Sequence, residues 1–227
     1  MKQVLKVVVG SQAHGLATPT SDFDYRGVFL VPTSEILKLG NTKIQQTNWI
    51  EGNDDDTSWE LGHFLNLATH CNPTILETFL APIDPKWDAE TDSENLKYTK
   101  ELRSLFPYIW NSVEVRDAFI GYGFNQRKKF LEDKDSRAPK YAAAFLRVLY
   151  NAWELLSTGS FTVDLRSTVI YDTVKRFKEG DYTRGEVIDA CYLWQTRVED
   201  AFRKNPNKTA NLEPVNEFLL KVRKENW

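Results

Sequence analysis

At 227 residues the chain can bury a sizeable core as one large domain or two small ones. Its formal net charge of −3 excludes bulk electrostatic attraction to nucleic acid and leaves only local contacts, while 41% hydrophobic and 27% charged residues are ordinary for a globular protein. Two cysteines, Cys71 and Cys191, cannot build a disulfide framework and fit a reducing cytoplasm; the three-residue apolar run before Gly10 is too short for a signal-peptide core, and no stretch approaches a membrane span. A soluble, cytoplasmic protein with no membrane partner is expected.

Strand signals are confined to the first quarter of the chain. Residues 5–9 and 23–31 are rich in Val, Phe and Tyr, and 43–50 is a weaker, half-polar candidate. The loops between them hold the turn-prone "TPTS" and "VPTS". From Ser58 the pattern becomes helical: "SWELGHFLNLATHC" puts Leu61, Phe64, Leu65 and Ala68 on one face. "NPTILETFL" follows with Asn72 as N-cap and Pro73 at the first helical position. The polar stretch 81–95 reads as a linker. Helices are expected over 93–105, 112–132, 139–158, 167–179 and 183–204, the last opening with a capping box from Thr183 to Glu186. There is no repeat and no low-complexity tract. The fold class is α+β: a short mixed sheet with helices over residues 1–90, then an all-helical region over 91–227.

In a strand, residues two apart share a face, so Asp22, Asp24 and Arg26 point one way while Phe23, Tyr25 and Phe29 point into the core. Two carboxylates side by side repel, and the economical way to keep both ionised is to bind hard divalent cations. A two-metal site in turn suits phosphoryl or nucleotidyl transfer. Gly10-Ser11, directly after the first strand, lets backbone approach a ligand closely, and N–H groups at the next helix start bind phosphate. No Gly-Lys-Ser/Thr follows, so this is not a Walker loop, and "GSQAHG" lacks the G-x-G opening of a dinucleotide fingerprint.

The string Val9-Gly10-Ser11, ten residues, then Asp22-Phe23-Asp24-Tyr25 resembles the signature of the DNA polymerase β-type nucleotidyltransferase superfamily. The fuller "GSQAHGLATPTSDFDYRGV" is similar to its bacterial and phage branch, which includes the RNA-ligase-associated RNA-repair group. "ELGHFLNLATHCNPTILETF" and "PKYAAAFLRVLYNAWELLSTGSF" extend the similarity over most of the chain. The resemblance implies a nucleotidyltransferase-type sheet over 1–90 with a helical domain over 91–227 closing a cleft on it. It implies that Asp22 and Asp24 hold two Mg²⁺ (or Mn²⁺) ions, that Gly10 and Ser11 hold the NTP triphosphate, and that a third carboxylate completes the metal site. For that third acid "EGNDDDTSWEL" offers Asp54, Asp55, Asp56 and Glu60; Asp56 is favoured, as the acid just before the "SWEL" helix, with an N-cap for that helix as its alternative role.

Arg26 either contacts a phosphate or neutralises its acidic neighbours. Lys140 and Arg147, seven apart on one helix face, are nucleotide-binding candidates beside the plainer reading of a solvated basic face, and "NQRKKF" adds Arg127, Lys128 and Lys129. His14 lies in the Gly-Ser loop, where histidines are mostly solvated. His63, His70 and the neighbouring Cys71 lack the second close pair that a zinc site needs and are read as structural. Trp153 and Trp194 fall in amphipathic helices and are read as core. The expected reaction is transfer of an NMP from an NTP to a hydroxyl with release of pyrophosphate. An RNA 3′ end in repair is the first acceptor to consider, with a small molecule or a protein side chain as alternatives, and a non-catalytic nucleotide-binding module as the reading from another class.

Overall fold

The computed structural model describes residues 2–39, 46–50 and 56–227. The chain forms two compact units: Met1–Thr69, Thr74–Ile109 and Ala210–Trp227 make the first, His70–Pro73 and Trp110–Thr209 the second. Among the described residues no helix is long and apolar enough to cross a membrane.

The first unit opens with β1 (Lys2–Val9), the short helix α1 (Gly10–Ala13), β2 (Asp24–Leu30) and a helical turn α2 (Thr33–Ile36). Two further strands follow, β3 (Thr47–Ile50) and β4 (Asp56–Glu60). The four strands form one mixed sheet in the order β1-β2-β4-β3, with β2 and β4 parallel and the outer pairs antiparallel. A bulge between Gln3 and Leu5 sits opposite Phe29 and Val28, and at the next pair, Lys6 with Gly27, a methyl group on the glycine would lie 2.8 Å from the Leu5 carbonyl oxygen.

β4 corrects the expectation of a helix from Ser58. Residues 58–60 belong to a strand hydrogen-bonded on both sides, and pairing with β2 and β3 outweighs the helical signal of "SWEL". The helix starts only at Leu61. Of the expected strand 43–50, residues 47–50 form β3 and 43–45 lie outside the described residues.

α3 (Leu61–Thr69) and α4 (Pro73–Leu80) bury Phe64 and Phe79, whose rings lie 4.8 Å apart, with Trp59 of β4 at 6.3 Å from Phe64. Burying each ring is worth about 1.5–3 kcal/mol. The stretch 81–95 is no linker. Val8 donates its N–H to Pro82 at 2.8 Å and Asp84 donates to Lys6 at 3.0 Å, so this segment covers the open edge of β1. It continues into α5 (Pro85–Glu90), α6 (Ser93–Ser104) and α7 (Phe106–Ile109).

The second unit is helical: α8 (Ser112–Leu131), α9 (Ala138–Thr158), α10 (Tyr171–Glu179) and α11 (Arg184–Lys204). α9 is central and packs on the other three. Asn111 caps α8, and Thr183 with Glu186 forms the expected box at the start of α11. The last helix, α12 (Glu213–Glu225), returns to the first unit, where Tyr98 of α6 donates to Glu225 at 2.9 Å and Thr33 donates its hydroxyl to the Arg223 carbonyl at 2.6 Å.

Candidate active site

The β1–β2 register pairs Val9 with Asp24, so the residue after β1 faces the first residue of β2. That residue is Gly10, with φ +65°, in the left-handed region where a side chain is strained. Space excludes one as well: a methyl group there would fall 2.2 Å from Asp24 Oδ2. Glycine therefore lets the Asp24 carboxylate lie directly against the turn. Asp24 is half-buried and Asp22 exposed. Ser11 follows within α1, and the Gln12 amide donates to the Ser21 carbonyl at 3.3 Å, tying this turn to the segment that leads into Asp22. Ser21 is itself fixed by a small turn, accepting from Thr18 N–H at 2.8 Å.

Arg26 shares the face of Asp24 but is engaged elsewhere. Its Nη1 lies 3.8 Å from Glu77 Oε1, and that buried nitrogen has no hydrogen-bond partner among the described residues. The same Glu77 oxygen takes the His14 Nε2 at 3.0 Å, with both side chains buried. The solvated histidine expected in the Gly-Ser loop is thus a buried one. Its partner Glu77 went unnoticed in the sequence, although a lone acid among apolar residues of "NPTILETFL" signals a buried charge in need of pairing. Glu77 links the loop after Gly10 to the strand of Asp24.

Asp56 lies elsewhere. In the parallel β2–β4 register it is level with Tyr25, not Asp24, so it stands on the opposite face of the sheet. There it pairs with Lys6 at 3.0 Å, and the Lys6 ammonium sits 4.6 Å from the centre of the Tyr25 ring. Phe23 is not in the core: it is 45% exposed and stacked on Tyr25 at 6.3 Å. Glu60 is 4% exposed and has both oxygens occupied, Oε1 by Arg223 at 2.6 Å and Oε2 by the Gly62 N–H at 2.7 Å. Asp54 and Asp55 lie outside the described residues. Among the described residues no group of three His, Cys, Asp or Glu side chains is placed to hold a metal ion.

The donor set at the turn still fits a hard divalent cation. It is all oxygen, two carboxylates at one strand mouth, and one of them occupies a cradle that any Cβ at Gly10 would fill. Mg²⁺ needs only one or two protein carboxylates when substrate phosphates supply the rest.

Lys140 and Arg147 both lie on α9 in the second unit, Lys140 exposed and Arg147 half-buried. Trp194 is buried against Trp153 and Tyr150, each ring at 5.2 Å. Cys71 and Cys191 are free and buried, and burial pushes the Cys71 thiol up to about 12 and raises that of Cys191 as well.

Residues 1–175 match the RNA repair pathway DNA polymerase beta family (RlaP). The chain is also similar to an uncharacterized 38.9 kDa protein in the nrdC-mobD intergenic region of Enterobacteria phage T4, at 29% identity over 125 residues. That similarity covers 48% of this chain and only 37% of the phage protein. With the Gly-Ser turn and the paired aspartates inside the matched segment, the chain belongs to the RNA repair pathway DNA polymerase beta family.

Proposed function

We propose that the protein transfers an NMP from an NTP to the 3′-hydroxyl of an RNA end and releases pyrophosphate. The observation that supports this reading is the closeness of the Asp24 carboxylate to Gly10, which brings the Gly10-Ser11 turn and the acidic strand together. Asp22 and Asp24 would hold Mg²⁺ or Mn²⁺, which when bound neutralises the triphosphate and the charge that builds on the transferring group. Gly10 and Ser11 bring bare backbone to the triphosphate. Arg26, steadied by Glu77, adds positive charge on the face of the acids. The hydroxyl oxygen bonds to the α-phosphorus as the bond to the bridging oxygen breaks, and its proton leaves to the solvent at Asp22. Positioning and charge carry the catalysis. Asp56 takes the lesser part of holding Lys6 over Tyr25.

The test is incubation with each labelled NTP and Mg²⁺ or Mn²⁺, with and without RNA oligonucleotides. Label on the RNA 3′ end together with pyrophosphate is expected. Label on a small molecule or on protein, with RNA left unextended, would replace the acceptor, and binding without transfer to any acceptor would make this a nucleotide-binding module.

A further inference from the structure

We propose that the end of the second unit where α8 passes into α9 is a docking surface for the backbone and bases of single-stranded RNA. Six cations gather over this stretch: Arg127, Lys128, Lys129, Lys134, Arg137 and Lys140. None of them is in an ion pair with a described residue, whereas Arg116, Arg166, Arg176 and Arg203 of the same unit each hold a carboxylate. The acids of the stretch do not quench them. Asp133 accepts the Ala138 N–H at 3.1 Å, and Glu132 and Asp135 are exposed without pairing to any of the six. Three residues of the connecting turn, Asp133, Asp135 and Ser136, hold positive φ without being glycine, a strained geometry that keeps the two helix ends together.

One cation of another helix lies near the same end. Lys178 of α10 has its ammonium held below the ordinary lysine range by burial and, secondarily, by the charge of Lys140. Charge is segregated between the units as well. The second carries 17 Lys and Arg against 14 Asp and Glu, the first 12 against 18. Six crowded cations at the α8–α9 end, none in an ion pair with a described residue, call for a polyanion. Phe124 decides which kind. It is 49% exposed and lies three and four residues before Arg127 and Lys128, so ring and cations share one face of α8. An exposed ring beside phosphate-binding cations is the arrangement that stacks bases and tracks a single strand.

This inference rests on the reading of an RNA acceptor, and the experiment separates the two. Anisotropy of a labelled 12-nucleotide single-stranded RNA is followed across a salt series with the full chain. The combined variant Arg127→Gln, Lys128→Gln, Lys134→Gln is expected to bind at least ~10-fold more weakly and to flatten the slope of log affinity against log salt by about 2, at ~0.7 per lost phosphate contact. Phe124→Ala is expected to weaken binding roughly 10-fold with the slope unchanged. Lys86→Gln, Lys97→Gln, Lys100→Gln makes the same change in net charge on exposed lysines of the first unit and is expected to leave both unaltered. A patch variant that behaves like this control, or a wild type that binds no RNA, overturns the proposal. Calorimetry of NTP with Mg²⁺ on the same samples reports separately: lost nucleotide binding beside intact, patch-dependent RNA binding sinks the transferase reading and leaves the surface standing.

Discussion

At the far end of the parallel pair β2–β4, Glu60 is buried with one oxygen on the Arg223 guanidinium and the other on the first N–H groups of α3. At the near end Asp22 is exposed and Asp24 rests against a glycine that cannot carry a side chain. Both ends place carboxylates beside a helix start, and at the far end the partners are an arginine from across the chain and the helix N–H groups. A buried acid that lost such a partner would be left an uncompensated charge, so the Glu60 end is committed to holding the fold. Asp22 and Asp24 stand at the strand mouth, and under the proposed function a cation and a triphosphate bind there. Asp56, paired with Lys6 on the opposite face, stands between these extremes.

The sharpest test removes one charge at the near end. Asp24→Asn keeps size and shape against Gly10, and it relieves the repulsion between two carboxylates two residues apart. Single-turnover transfer in Mg²⁺ should fall by ~100- to 1000-fold, the scale of losing one electrostatic stabiliser. Melting in EDTA should stay level or rise slightly. A variant that melts several degrees lower would make Asp24 another Glu60.

The mirror experiment is made at the far end. Arg223→Met keeps the apolar stem and strands the buried Glu60 carboxylate with its backbone donors alone. A loss of about 3 kcal/mol is expected, seen as a melting temperature roughly 6–12 °C lower, while turnover of the folded fraction stays near wild type. If turnover collapses with the melting point unchanged, the two ends are not separate in function.

A smaller effect is expected at the intermediate acid. Asp56→Asn should reduce transfer by no more than ~10-fold, because it loosens Lys6 and leaves Asp22 and Asp24 in place. Inactivation as deep as that of Asp24→Asn would put Asp56 in the metal site after all.

What sequence makes legible follows the same division. The near end is local: Gly10-Ser11 and Asp22-Phe23-Asp24 are joined by one strand pairing, and they carry most of the resemblance to the family. The long helices were legible too, because apolar spacing and caps such as Thr183–Glu186 act within a few residues. The far end was not. Glu60 meets Arg223 across 163 residues, and the helix that carries Arg223 lies beyond the segment that matches the family. The His14–Glu77 pair spans 63 residues and turned a loop histidine into a buried one. Phe23, just before β2, stacks on Tyr25 as the alternation places it and is still exposed, because it lies beyond the end of the strand. Residues 58–60 read as helix because nothing local shows that a strand has neighbours on both sides.

The smallest expected effect is a contribution of the α12 side to the pH dependence of stability. The Tyr98 hydroxyl donates to Glu225 at 2.9 Å and accepts from the Asn226 amide at 3.1 Å, and burial, reinforced by Glu225, raises its ionisation from 10.0 to about 12. A phenolate has no proton to donate, so the folded state favours the neutral ring. With the folded value raised above the unfolded one, its contribution is fully present below pH ~10 and is lost as the pH rises from there to about 12. Tyr150, also raised to about 12, and Tyr182 titrate in the same direction, so the wild-type decline alone does not single out Tyr98. The difference between wild type and Tyr98→Phe does. Melting temperatures between pH 8 and 11.5 should fall less steeply above pH ~10 in the variant, which is already somewhat less stable at pH 8 for want of the hydrogen bond. Parallel curves would mean that α12 is held without this hydroxyl, by contacts such as those of Arg223, Thr33 and Lys221.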